Sequence, residues 1–204
     1  MQQNATSQKN PAVSRSLTLR PPNTYDFTLP DGVASAIERR PAPLALHSAG
    51  MSVVNKLKSL GIELPPVSGP FGAYVPARRV GNLIFVAGQL PMKDGKLLAT
   101  GQVPSRCSLD DARAAARQCV INALAAVQTI RGGVEEIVGV VRVGAFVNSD
   151  ATFTDQPKVA DAASDLLTTI FGDSGKHARA AVGCNTLPRD ASVEIEVIFE
   201  AAGQ

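Results

Sequence analysis

The stretch from Glu136 through Val147 constrains the fold more than any other. Ile137, Gly139, Val141, Val143, Ala145 and Val147 alternate with Glu136, Val138, Val140, Arg142 and Phe146. Successive side chains leave a strand on opposite faces, so this alternation predicts a strand. Both of its faces are largely apolar. Such a strand must lie inside a sheet, or must turn one face toward another molecule.

Two helices are expected to cover that sheet. Ser108 through Ile130 is the clearer one. Ser108 is a good N-cap, and Asp111 stands three residues on, as in a capping box. Ala112, Ala115, Ala116, Cys119, Val120, Ala123, Leu124 and Val127 recur at helical spacing. So many alanines imply a close approach to the sheet. Arg113 and Arg117 fall off that stripe, and Gly132-Gly133 stops the helix. A second helix is predicted from roughly Asp155 to Phe171, with Val159, Ala163, Leu166, Leu167 and Ile170 inward. Pro157 is tolerated there because it falls in the first turn.

The remaining strands follow from turns. Tyr74 to Val80 and Leu83 to Ala87 read as a hairpin about Gly81-Asn82. Lys93 to Lys96 makes another turn, and residues 179–185 and 192–200 supply the last two strands. Residues 51–60 predict a short helix carrying Val54, Leu57 and Leu60 on one face. The order is strands, helix, strand, helix, strands. That order predicts a two-layer α+β domain over residues 51–204, a mixed sheet with two main helices on one face. The other face stays apolar and needs cover, which self-association would supply.

The first fifty residues differ. They hold six of the fourteen prolines and show no lasting period. A disordered extension, residues upstream of a true start at Met51, and an organelle-targeting peptide are the three readings of this segment. They carry five basic and three acidic side chains, leaving fifteen of each in residues 51–204. A neutral domain with few aromatics and no Trp has neither the field nor the stacking platforms that nucleic acid requires. Three cysteines form neither a metal-like cluster nor an even disulfide framework, which fits a reduced, cytoplasmic setting. No apolar run is long enough to predict a membrane span.

Candidate chemistry gathers in the last quarter. Arg179 lies in a short apolar stretch, and fifteen residues later Glu194 and Glu196 occupy a strand-like run. Two strands joined by a turn would offer a cation and a carboxylate to one site. Arginine's planar fork fits a carboxylate in two places. Paired glutamates can raise one another's pKa. The structural alternatives are an ion pair of Arg179 with a glutamate, and two solvent-facing carboxylates on a half-buried strand. His177 is a further candidate as a proton carrier. Cys119 reads as core. Asp110-Asp111 reads as a helix cap rather than a metal site, and Arg78-Arg79 as exposed strand ends.

Gly72-Ala-Tyr74, Val86-Ala-Gly-Gln-Leu-Pro91, Arg179 with Val182, Leu187-Pro188 and Val193-Glu-Ile-Glu196 together resemble the RidA family. It is also called the YjgF family, and its members are often labelled endoribonuclease L-PSP. The resemblance spans about residues 52–202. Phe153 to Ala160, Ala163 to Leu167 and His177-Ala-Arg179 resemble a longer branch of it.

The resemblance implies a chorismate-mutase-like α+β fold, a homotrimer with sites between subunits, and no metal or organic cofactor. It implies hydrolysis of reactive 2-enamine and 2-imine acids to 2-oxo acids and ammonia. By position, Arg179 would clamp the substrate carboxylate and Glu194 would hold the water. Tyr74 and Gly88 would lie at the cleft, and Ala181 would contribute backbone to the carboxylate site. Glu196 would be structural. Ala181 replaces a cysteine common in deaminating members, Ala87 replaces a serine, and His177 replaces part of a Phe-Pro lead-in. Two further readings of the same fold stand beside the deaminase: a non-enzymatic 2-oxo acid sensor, which those replacements favour, and an endoribonuclease or translation inhibitor.

Overall fold

The computed structural model describes residues 51–67 and 72–203. The readings of residues 1–50 lie outside the described residues. Ten helices and strands organise the described part. Helix α1 spans Val53–Ser59, and strands β1 and β2 span Ala77–Val80 and Leu83–Gln89. A small hairpin, β3 (Met92–Lys93) and β4 (Lys96–Leu97), leads to helix α2 (Leu109–Val127). Strand β5 (Ile137–Asn148), helix α3 (Gln156–Phe171), β6 (Ala178–Cys184) and β7 (Val193–Ala201) complete the order.

The main sheet runs β1-β2-β7-β5-β6. Neighbours are antiparallel except β5 and β6, which are parallel. The sheet is therefore mixed, and the fold is α+β, as the sequence predicts. Helix α3 is the crossover that parallel β5 and β6 require. Helices α2 and α3 pack on each other and against the sheet.

The caps are those the sequence supplies. Ser108 Oγ accepts from the Asp111 N–H at 3.1 Å and donates to the Asp111 carboxylate at 2.6 Å. Pro157 falls in the first turn of α3, and Gly172 follows its last residue. All five residues predicted to face inward from α3 are buried. Val143 and Val197 pair across the sheet, as do Ala145 with Ile195 and Val147 with Val193. These six are buried beneath the helices with Phe199 and Ile84, and Leu124 of α2 is buried too. Phe199→Ala would cost about 3–5 kcal/mol at such a site.

Strand β5 is interior, between β7 and β6, but its alternation breaks. A register shift between Val140 and Arg142 exposes Val141 and buries Val140. An unpaired extra residue in one strand reverses the facing of the residues before it, and a second shift between Ile137 and Gly139 restores the inward facing at buried Ile137. The even alternation from Ile137 to Val147 is therefore corrected at Val141. On the face away from the helices, Phe85, Val80 and Val182 are exposed large apolar side chains.

Candidate active site

Glu194 lies on the open face of β7, opposite Phe146 of β5. It is half-buried. Its carboxyl is held above the usual glutamate range, first because burial strips water from the anion, then because Glu196 is a like charge nearby. Room for it comes from β2. A register shift between Val86 and Gln89 sets a bulge that contains Gly88. A Cβ on Gly88 would stand 1.8 Å from Glu194 Oε1, so any side chain there would push the Glu194 carboxylate from this position. Bulges of this kind commonly re-aim side chains beside functional sites.

Glu196 is accommodated in the same way by Gly144, whose Cβ would stand 2.6 Å from Glu196 Oε1. Glu196 is paired with Arg142, Nη1 to Oε1 at 2.5 Å. One glutamate of the pair is thus neutralised by a cation, and the other forms no ion pair among the described residues.

Glu194 lines a cleft of about 630 Å³. Tyr74, Gly88, Met92, Asp94, Asn122 and Arg189 line it too, with prolines from the segment after α1. Asn122 fastens the cleft wall. Its Nδ2 donates to the carbonyls of Leu90 and Met92 at 2.8 and 2.9 Å, and its Oδ1 accepts from Gln118. Buried amide groups of α2 thereby hold the link from β2 to β3 against the helix.

Arg179 is elsewhere. Strands β6 and β7 are not neighbours, because β5 lies between them. Arg179 pairs with Val143, which pairs with Val197. Glu194 is three residues from Val197 along the strand and so leaves the opposite face. Arg179 Nη1 reaches α3, donating to Asp161 Oδ1 at 2.9 Å and Ser164 Oγ at 3.0 Å. Two strands joined by a turn therefore do not bring this cation and this carboxylate together within one chain. The alternative pairing of Arg179 with Glu194 or Glu196 is also replaced, by Asp161.

His177 joins the Arg179 cluster rather than standing exposed. Its Nε2 is 3.0 Å from Ser164 Oγ and its Nδ1 is 2.6 Å from the Gly175 carbonyl. Ala181 lies on β6 beside Ala145, on the same face as Arg179, and packs against the core. Arg79 is not an exposed strand end: it donates to Ala202 O and pairs with Glu136 at 2.7 Å. Cys119 is fully buried, and burial raises the thiols of Cys119, Cys107 and Cys184. Among the described residues, no three or more His, Cys, Asp or Glu side chains group as metal ligands. No described helix is long and apolar enough to cross a membrane.

The cleft contains a cation the sequence reading passed over. Arg189 sits in the turn Pro188–Asp190 with φ 58° and ψ 23°. Asp190 follows at φ 60°. Left-handed backbone costs a side-chain-bearing residue roughly 1–2 kcal/mol. The turn is held against it by Gly101 N to Asp190 O at 2.8 Å and by the Arg106–Asp190 pair at 2.5 Å. The only signals were Leu187-Pro188 before it and Asp190 after it, which mark a turn without saying where Arg189 points. Asn122 had a better signal: Gln118 and Asn122 are four apart in an otherwise small, apolar stripe.

This fold and cleft have relatives. The chain belongs to the YjgF/chorismate mutase-like endoribonuclease family, whose model matches residues 54–200. It is 38% identical over 149 residues to Protein TCP17 of Trypanosoma cruzi, covering 72% of this chain and 93% of that one. It is 30% identical over 137 residues to a 2-iminobutanoate/2-iminopropanoate deaminase of Dermatophagoides farinae, covering 67% and 92%. Among solved structures, a protein of unknown function from Agrobacterium tumefaciens is 41% identical with a TM-score of 0.66, covering 74% of this chain and 92% of that one.

Proposed function

We propose that the protein hydrolyses small 2-imino and 2-enamino acids to 2-oxo acids and ammonia, with Glu194 holding and deprotonating the attacking water. The observation that carries this reading is Glu194 itself, half-buried in a cleft with its carboxyl above the usual range. A raised carboxylate is a stronger base near neutral pH than an ordinary one. The relative named as a 2-iminobutanoate/2-iminopropanoate deaminase supports the substrate class.

In the reaction the water oxygen bonds to the imine carbon while its proton passes to Glu194. The nitrogen takes up a proton, the carbon–nitrogen bond breaks, and ammonia leaves. The new hydroxyl gives up its proton as the carbonyl forms. One water is consumed and one ammonia released, with no change of oxidation state. Such substrates also hydrolyse unaided, so positioning and proton transfer supply enough acceleration.

Arg179 would clamp the substrate carboxylate from a second copy of the chain. One copy turns Arg179 and Glu194 to opposite faces of its sheet, so a site using both needs two. β6 is the last strand of the sheet, and Val182 and Phe85 are exposed on the open face. A homotrimer, each cleft completed by a neighbour's β6, accounts for both. Equal numbers of acidic and basic side chains in residues 51–204, and few aromatics, disfavour RNA as the substrate.

The test is ammonia and pyruvate release from freshly generated 2-aminoacrylate, with sedimentation equilibrium on the same sample. Acceleration above the spontaneous rate by a homotrimer, lost in Glu194→Gln, is expected. A monomer, or a rate equal to that of buffer, would overturn the reading.

A further inference from the structure

Among the described residues, Arg189 is the one cation lining the cleft with Glu194. The recorded ion pairs among the described residues are Arg79–Glu136, Arg106–Asp190, Arg142–Glu196, Lys158–Asp155, Lys176–Asp173 and Arg179–Asp161. Arg189 is in none of them. Its recorded partner is the Met92 thioether, 3.3 Å from Nη1. A thioether is a weak acceptor, while a guanidinium carries five donors suited to a planar oxyanion. Asp94 lines the same cleft, yet no ion pair joins it to Arg189.

The backbone adds an independent observation. Arg189 and Asp190 both sit at positive φ, and Asp190 is tied to Arg106 and Gly101. A loop that needed only to turn could use glycine here. Strained positions that their surroundings over-determine gather at ligand clamps.

From this we infer that the cleft selects substrates bearing a second, distal carboxylate, a 2-imino dicarboxylic acid, with Arg189 as the residue that reads it. The inference rests on the deaminase reading: Glu194 acts at the imine carbon, Arg179 of a second copy takes the near carboxylate, and Arg189 takes the far one. The chemistry at carbon 2 is unchanged, so no further reactant is needed. A substrate of this kind arises from oxidation or elimination on an acidic amino acid.

Two arms test it. In the first, an amino-acid oxidase generates 2-iminosuccinate or 2-iminobutanoate in the presence of the full-length protein, and kcat/KM is measured for each. The ratio should favour the dicarboxylate in wild type. Losing a charge-assisted contact should lower that ratio in Arg189→Gln on the order of tenfold to a hundredfold. Arg189→Lys should recover part of it. A wild-type ratio of one or less, or a ratio unmoved in Arg189→Gln, overturns the inference while leaving the deaminase reading intact.

The second arm is calorimetric titration with 2-oxoglutarate and with 2-oxobutanoate, which needs no turnover. Tighter binding of 2-oxoglutarate, lost in Arg189→Gln and in Arg189→Glu, supports Arg189 as the reader of the far carboxylate, and does so independently of the deaminase reading. Equal binding of the two acids overturns it. Circular dichroism confirms that each variant is folded.

Discussion

Glu194 and Arg179 are held in opposite ways. Glu194 sits over a glycine, loses water to burial, and has a second carboxylate as its charged neighbour. Arg179 is fixed to Asp161 and Ser164 on α3, with its side chain about a quarter exposed. The first arrangement makes a group more reactive, because a proton would relieve the cost of the buried anion. The second keeps a cation satisfied until something better than Asp161 arrives. A carboxylate brought by a substrate is such a competitor. On the proposed reading, the difference separates a group that reacts from a group that is exchanged.

The largest expected effect comes from removing the reactive group alone. Glu194→Gln should bind 2-oxo acids normally and lower turnover on the order of a hundredfold to ten-thousandfold, measured by ammonia release. Equal turnover would return Glu194 to a structural role and leave Glu196 as the next water holder. Gly88→Ala comes next. It drives a methyl into the space of Glu194 Oε1, so the carboxylate must shift. A displacement of about 1 Å costs on the order of a hundredfold in rate. Gly144→Ala, which presses instead on the paired Glu196, should cost much less in the same assay.

Arg179→Lys should weaken substrate capture by about tenfold, because one contact replaces a two-pronged hold. An unchanged KM would show that the exchange with Asp161 does not occur. Stability then offers a pH test. Glu194 binds its proton more tightly folded than unfolded, so the stability this brings is full below the ordinary glutamate range. It is lost as pH rises through the raised value. Denaturant titrations should therefore find Glu194→Gln gaining on wild type as pH climbs from the ordinary glutamate range through the raised value, levelling off above it and converging in acid. Smallest is Asp161→Asn. Its ion pair is half-exposed, so unfolding free energy should change by less than about 1 kcal/mol. A larger loss would mean that the Arg179 cluster is structural.

The fold was legible because its signals are local and repeated. The capped alanine stripe of α2, the inward residues of α3 and the Gly81-Asn82 turn each declare an element without knowledge of its neighbours. What sequence patterns do not carry is strand order. Arg179 and Glu194 looked adjacent because β6 and β7 are consecutive. The insertion of β5 between them depends on which apolar faces find each other in space. The displaced Val141 shows the same limit at smaller scale, since a bulge leaves the pattern of apolar residues intact while reversing its facing. Arg189 was invisible for another reason: an arginine in a turn reads as solvent-exposed, and only the folded β3–β4 hairpin puts a cleft beside it. The resemblance placed Gly88 at the cleft, yet its reason is space for a side chain from β7, over a hundred residues away.

Strand β7 has a consequence for how the molecule is made. It joins the β1–β2 hairpin to the β5–β6 pair, yet every other described strand precedes it in sequence. On the ribosome, both parts of the sheet must wait with an open edge until the chain beyond residue 193 emerges. Unpaired edges and uncovered apolar surface at that stage invite association with the wrong chain. Premature stops just before β7 should therefore yield aggregated product in place of a smaller folded domain, and slow decoding immediately ahead of β7 should be tolerated poorly.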